Sequence, residues 1–335
     1  MRIGILSSHG IKCAVAENAV ELARKLREQG HAVTIFGNWT DERIRPEHRG
    51  RLTRSEPESV ACFEVQPWSR GAGYDLELVW RQLMGREIRA LLVEYQASIY
   101  PGAFLTELLA RCAARGLRRV VTFHDSYIPS GLPELADVRV VHGASLLRLL
   151  PGATVIPQGV QRLPEVPRRE VQRREGWPAD LVATLGMGKV DYRLIYGVAR
   201  SIGWTTLAFD PLYSCTLPHA ADLILLRDWF DQRELVGRLA AAHAIVLWYP
   251  PVDAQVVSSA AQLAVAAHRL VLVNDGVPWF QDLPADVFVK LRDPGELTVW
   301  LQHGLVDPER ERRQQAFIDA NCWDQVARRY LELVA

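Results

Sequence analysis

The chain has 335 residues, 49% hydrophobic and 23% charged, with 39 Lys+Arg against 39 Asp+Glu and so no net charge. That length suits two domains, each able to bury its own core. The charge balance argues against a broad basic surface for nucleic acid and leaves only a local patch open. The five cysteines (Cys13, Cys62, Cys112, Cys215, Cys322) are scattered without a C-x-x-C. This is the pattern of reduced thiols in a cytoplasmic protein, not of a disulfide scaffold or a zinc site.

The opening MRIGILSSHGIK has too short an apolar run for a signal peptide. No stretch approaches the ~18 apolar residues of a membrane span. A peripheral contact with a membrane stays open. Short apolar runs then alternate with helical patterns. In the first half they are Ile3–Leu6, Ala32–Phe36, Leu91–Tyr95, Val120–Phe123, Val138–Val141 and Thr154–Pro157. Runs this short and continuous predict parallel strands buried on both faces. Between the first two, Val15, Ala19, Leu22 and Leu26 fall on one helical face, with Gly30 placed to end the helix. The stretch Asn38 to Pro57 is low in apolar residues and reads as a surface loop.

Pro157-Gln158-Gly159-Val160 closes this set, and a charged, Pro-bearing segment without apolar periodicity follows. The second half repeats the pattern with Leu181–Leu185, Thr205–Phe209, Asp222–Leu226, Ala244–Tyr249, Leu270–Asn274 and Val287–Leu291. Near the C-terminus Trp323, Val326, Ala327, Tyr330, Leu331 and Val334 share one helical face. Strand–helix–strand repetition predicts an α/β protein with two parallel sheets. The expected divisions are a first domain over 1–160, a linker over 161–180, a second domain over 181–307 and a C-terminal helix over 308–335.

Two segments carry the chemistry. In Val256 to Leu283 a small-residue helix starts just after Ser258 and Ser259 and leads into a buried strand, LVLVND. A helix N-terminus offers unpaired amides and a positive dipole end, and serine hydroxyls add donors, so a phosphate or diphosphate fits there. Serine is also an ordinary N-cap. His124 ends the run VVTFHD at the carboxyl end of a strand, where α/β sheets gather ligands. His142 also ends a run, and a histidine satisfied by local backbone is the stronger reading for it. Gly276-Val277-Pro278-Trp279 is mainly a turn signal. Trp248 and Tyr249 end a strand run before Pro250-Pro251 and are candidates to line a donor pocket, though buried structural aromatics are the stronger reading.

At these residues the chain resembles the GT-B glycosyltransferases, specifically the retaining family 4. MRIGILSSHGIKCAVAENAVELARKLREQGHAVTIFG is similar to the family's first strand, acceptor-side loop and first helix. VVTFHD resembles its first-domain histidine strand, and TVIPQGV its interdomain segment. SSAAQLAVAAHRLVLVNDGVPWFQDLP is like its donor-diphosphate helix and strand, and NCWDQVARRYLEL like its C-terminal helix, which crosses back to the first domain. The resemblance implies two Rossmann-like domains facing a cleft, with the nucleotide sugar on the second domain and the acceptor on the first. It implies retention of anomeric configuration by front-face attack, with the leaving diphosphate stabilised by donors. Such chemistry rests on electrostatics and positioning and requires no metal, in line with the lack of an Asp-x-Asp.

The same resemblance assigns residues. His124 reaches the donor sugar, and Ser258 and Ser259 hold the diphosphate. Gly186 opens the phosphate loop. The family's Arg falls at Met187 and its Lys at Arg193, so Arg193 serves the diphosphate and Lys189 is a candidate for the missing charge. The family's paired glutamates fall at Gln255 and Leu263. Gln255, with Asp253 nearby, can still bond a sugar hydroxyl, whereas Leu263 cannot bond a ribose. The acceptor-side loop has Gly10 for its turn, then Ile11-Lys12-Cys13-Ala14, with Lys12 a candidate contact. Glu17, one helical turn further, reads as a cleft carboxylate or, more simply, a solvated one.

The expected function is transfer of a hexosyl group from a nucleoside diphosphate sugar to an unknown acceptor, with no metal or other cofactor. One rival is a GT-B protein that binds nucleotide sugar or a partner without catalysis, favoured by the lost carboxylates. A third reading is transfer to a nucleic-acid base. The neutral charge opposes it, although Arg118, Arg119 and the arginines of 161–180 offer a local basic stripe.

Overall fold

A computed structural model of the chain describes residues 1–335 apart from 40–51, 54–57, 64–73, 98, 187–188, 252–255 and 305–306. The chain divides into two compact units. Unit one comprises Met1–Gln158, Ala254–Val257 and Trp323–Ala335; unit two comprises Gly159–Asp253 and Ser258–Cys322.

In unit one the strands are β1 (Arg2–Leu6), β2 (Ala32–Asn38), β3 (Ser59–Phe63), β4 (Ala90–Tyr95), β5 (Arg118–Phe123), β6 (Val138–Val141) and β7 (Thr154–Val155). They pair in parallel in the order β3-β2-β1-β4-β5-β6-β7. The crossovers include α1 (Ala14–Glu28), α2 (Leu76–Gly85) and α3 (Gly102–Ala114). The α1 face expected from Val15, Ala19, Leu22 and Leu26 is buried. Each of its two leucines contributes about 1.5–3 kcal/mol by leaving water. Gly30 ends this helix with φ +85°. The edge strand β3 was not among the expected runs. Its first residues, Ser59 to Ala61, are only half-buried, so apolar continuity does not mark it.

In unit two the strands are β8 (Leu181–Leu185), β9 (Thr205–Phe209), β10 (Leu223–Leu226), β11 (Ala244–Leu247), β12 (Leu270–Asn274) and β13 (Val289–Leu291). They are parallel, in the order β10-β9-β8-β11-β12-β13. The helices are α4 (Arg168–Glu175), α5 (Tyr192–Ser201), α6 (Gln232–Leu239), α7 (Ser259–Ala266), α8 (Pro294–His303) and α9 (Pro308–Asn321).

Two expected boundaries need correction. The stretch 161–180 is not a plain linker, because it contains α4. That helix buries Val171 and is fixed to unit two by Gln172, whose Nε2 donates to the carbonyls of Ala179 and Ala241. The stretch 308–335 is not one helix either. An extended Cys322 separates α9 from α10 (Trp323–Val334). Only α10 belongs to unit one, where Trp323, Val326, Ala327, Tyr330 and Val334 join the core under β1 and β5. The Tyr330 hydroxyl lies 2.8 Å from Thr122 Oγ1.

In both sheets the strand order reverses beside the first strand, between β1 and β4 and between β8 and β11. The carboxyl ends of strands at such a switch point are where open α/β sheets hold ligands. Among the described residues no helix is long and apolar enough to cross a membrane.

Candidate functional site

Each unit builds its own set of polar groups at the strand ends. In unit one the loop after β1 runs through Ser7, Ser8, His9 and Gly10, with Gly10 at φ +96°. Backbone bonds hold it: the Asn38 amide donates to the His9 carbonyl at 2.7 Å and the Thr53 amide to the Gly10 carbonyl at 2.9 Å. A Cβ on Gly37 would lie 2.7 Å from the His9 carbonyl oxygen, so only glycine lets the two segments approach. Burial, with Arg27 adding to it, pushes the His9 imidazole down to about 4. Lys12 follows, half-buried, and Glu17 lies half-buried in the first turn of α1.

The deepest polar cluster of this unit joins three adjacent strands. β4 is buried at every position, which carries Glu94 into the interior. His124 follows β5, and its Nε2 lies 2.6 Å from Glu94 Oε2. His142 follows β6, and the two imidazoles meet edge to face with centroids 4.7 Å apart. Nδ1 of His142 donates to the Ile156 carbonyl at 2.8 Å. Burial first, and then the charge of His124, push His142 down to about 3. The backbone of His124 is fixed as well, its amide donating to the Tyr95 carbonyl at 2.9 Å. The next residue, Asp125, accepts from the amides of Ala97 and Tyr127 and so ties the β4 and β5 loops together.

In unit two, Ser258 is buried as the N-cap of α7, but its side chain makes no capping hydrogen bond. Its hydroxyl instead makes a long contact, 3.5 Å, with the Tyr249 hydroxyl just beyond β11. Burial holds that phenol up at about 12, so it stays neutral. Asn274, at the end of β12, clamps Tyr249: Oδ1 accepts from the Tyr249 amide at 3.0 Å and Nδ2 donates to its carbonyl at 2.8 Å. The ring of Tyr249 also packs edge-on against Trp279, with centroids 5.6 Å apart. Ser259, half-buried, is the first residue of α7.

Gly186 follows β8, and a Cβ there would collide with the Val190 side chain. Lys189 sits with Nζ 3.8 Å above the Trp279 ring, and Arg193 is exposed in the first turn of α5. Gly276 takes φ +79° in its turn.

Residues 15–160 match the family model described as Glycosyltransferase Family 4. No curated protein matches the sequence. Several solved structures share the fold from end to end. HepE of Anabaena in complex with UDP-glucose has a TM-score of 0.65 at 14% identity, over 99% of this chain and 98% of its own. A trehalose-6-phosphate protein from E. coli bound with UDP-2-fluoro glucose has a TM-score of 0.63 at 12% identity, covering 100% and 99%. An alpha-glucosyltransferase in complex with UDP and a 13-mer DNA containing a HMU base scores 0.61 at 13%, also covering 100% and 99%. The chain has the GT-B fold and resembles glycosyltransferase family 4. At these identities the likeness to the solved GT-B structures is one of fold.

Among the residues assigned by resemblance, Gln255, Asp253 and Met187 lie outside the described residues. Leu263 is half-buried on α7 and presents no polar group. Within unit two, Ser258 meets the end of β11, whereas Lys189 is engaged with Trp279. Within unit one, His124 is joined not to the β1 loop but to Glu94 and His142. Sequence reasoning passed over Glu94 and Asn274. The available signal for Glu94 was a lone carboxylate inside the apolar run LLVEY, one strand before VVTFHD and two before VRVVH.

Proposed function

We propose that this GT-B protein is a glycosyltransferase that moves a hexosyl group from a nucleoside diphosphate sugar to an acceptor, with retention at the anomeric carbon. The observation that carries the reading is Ser258. It heads α7 beside a switch-point strand, and its hydroxyl is turned to Tyr249 instead of capping its own helix. The first-turn amides of α7 and the hydroxyls of Ser258 and Ser259 are suited to a diphosphate. Arg193, and Lys189 once it leaves Trp279, add charge. Gly186 is assigned to the opening of the phosphate loop, and Gln255 to a sugar hydroxyl.

His124 takes the role of orienting the donor sugar or stabilising charge that develops on it. Gly10, Lys12 and Glu17 are assigned to the acceptor side. The reaction in this reading needs no metal or other cofactor, and scattered free cysteines suit a cytoplasmic setting. Because solved proteins of this fold were captured with UDP, UDP-glucose or UDP-2-fluoro glucose, uridine donors are the first to test.

The test is nucleotide release from UDP-, GDP-, ADP-, CDP- and TDP-sugars in the presence of a chelator, with and without a panel of acceptors. Release of one nucleoside diphosphate that rises with an acceptor supports the reading. Binding of a nucleotide with no hydrolysis or transfer from any donor supports the non-catalytic alternative, which the loss of a carboxylate at Leu263 favours. A second acceptor class, a base in DNA, draws on the DNA complex of the alpha-glucosyltransferase. It requires a salt-dependent mobility shift of duplex DNA, and the absence of that shift removes it.

A further inference from the structure

We propose that Glu94, His124 and His142 form a binding site for a divalent transition-metal ion of the zinc type. These residues stand at the carboxyl ends of β4, β5 and β6, which are neighbours in one sheet. One ligand atom from each lies within 4.8 Å of the other two. An ion with bonds of about 2 Å holds its ligands about 3.3 Å apart, so modest side-chain rotations close the cluster around it.

Two buried atoms point to a missing partner. Glu94 Oε1 and His142 Nε2 have no hydrogen bond, although both side chains are more than nine-tenths buried. Buried polar atoms are rarely left so. Both are acceptors: Glu94 Oε1 belongs to a carboxylate, and the His142 proton is on Nδ1, donating to the Ile156 carbonyl. That bond also fixes the tautomer in which Nε2 offers its lone pair, the usual support for a metal-binding histidine. One bridging water could satisfy two acceptors. A cation satisfies them together with a ring nitrogen of His124 and offsets the carboxylate charge. Two imidazoles and one carboxylate suit zinc or cobalt, whereas magnesium and calcium favour all-oxygen shells. The ligating nitrogen of His124 must carry no proton.

The site stands independently of the transferase reading. Only one consequence rests on that reading: an ion on His124 withholds the imidazole from the donor sugar, and so opposes transfer.

The experiment is titration of the full-length, reduced, chelator-treated chain with Co²⁺, followed by visible absorption, and then displacement of Co²⁺ by Zn²⁺. The wild type should take up one equivalent with the intense d–d bands of low-coordinate cobalt, and Mg²⁺ should not displace it. His142→Ala and Glu94→Gln should each weaken binding at least ~100-fold. Should His142→Ala fail to fold, His142→Gln keeps a donor for the Ile156 carbonyl and removes the ligand. Absence of the bands in the wild type, or equal binding by wild type and variants through surface histidines and thiols, overturns the proposal. Neither result depends on whether the protein transfers sugar.

Discussion

The Glu94 carboxylate accepts from His124 Nε2 at 2.6 Å inside the sheet, where each side chain is at most 4% exposed. This contact fixes the rotation of the His124 ring and determines which nitrogen remains for other chemistry. In the proposed transfer reaction, a histidine held this way loses precision when its partner is changed. His124→Ala should therefore lower transfer by roughly 10²–10³-fold, the usual effect of removing one preorganised donor, with the fold retained. Glu94→Gln, which keeps an acceptor for Nε2, should lower it less. Steady-state rates across pH check both, and an unchanged rate in folded His124→Ala would remove His124 from the mechanism.

Zinc should inhibit. If an ion occupies Glu94, His124 and His142, adding Zn²⁺ to a chelator-treated enzyme should slow transfer in the wild type. His142→Ala should be resistant. Equal inhibition of both proteins would place the inhibitory ion elsewhere.

Acid should weaken unit one before it affects carboxylates. His9 and His142 are held down at about 4 and about 3 against an ordinary value of 6.5, chiefly by burial. Both are neutral in the folded chain, while the unfolded chain protonates them below 6.5. The unfolded state then binds more protons, so stability is complete above that pH and is lost as pH falls toward the folded values. The slope is at most about 1.4 kcal/mol per pH unit for each histidine. Urea midpoints between these pH values, measured in chelator, should fall with acid, and His142→Gln should flatten the fall. A wild-type midpoint constant from neutral pH to about 4 would contradict this.

The clamp of Asn274 on Tyr249 should matter to stability as well as to the site. Asn274→Ala strands the Tyr249 amide and carbonyl, both of which lie buried, and should cost at least about 2 kcal/mol. Asn274→Asp keeps the acceptor and loses the donor, so it should fall between. Chemical denaturation with equal m-values checks the order.

Much of this fold is readable in the chain because apolar periodicity drives it. The stripe Val15, Ala19, Leu22 and Leu26 is buried as expected, and so is the face of Trp323, Val326, Ala327, Tyr330 and Val334, with Leu331 half-buried at its edge. What escaped is held by polar side chains. α4 has one buried apolar residue, Val171, and is anchored by Gln172, while Arg269 reaches back to the carbonyls of Val166 and Ala240. Such anchors leave no periodic trace. The break at Cys322 was hidden for a related reason, since helical propensity continues on both sides of it. At the site, Ser258 and His124 were visible as residues at element ends. The pairing of His124 with Glu94 depends on strand order, which joins positions 30 apart in sequence.

Thermal unfolding of the chain with UDP, GDP, ADP, CDP and TDP and their sugar conjugates, beside the Ser258→Ala, Ser259→Ala double variant, decides whether these serines hold a donor diphosphate. At a concentration 1,000 times Kd a ligand adds about 4 kcal/mol of stability, a large rise in Tm. One base should stand out in the wild type, and the double variant, equally stable alone, should bind it at least ~10-fold more weakly. No shift with any nucleotide, or an equal shift in the double variant, would contradict that role.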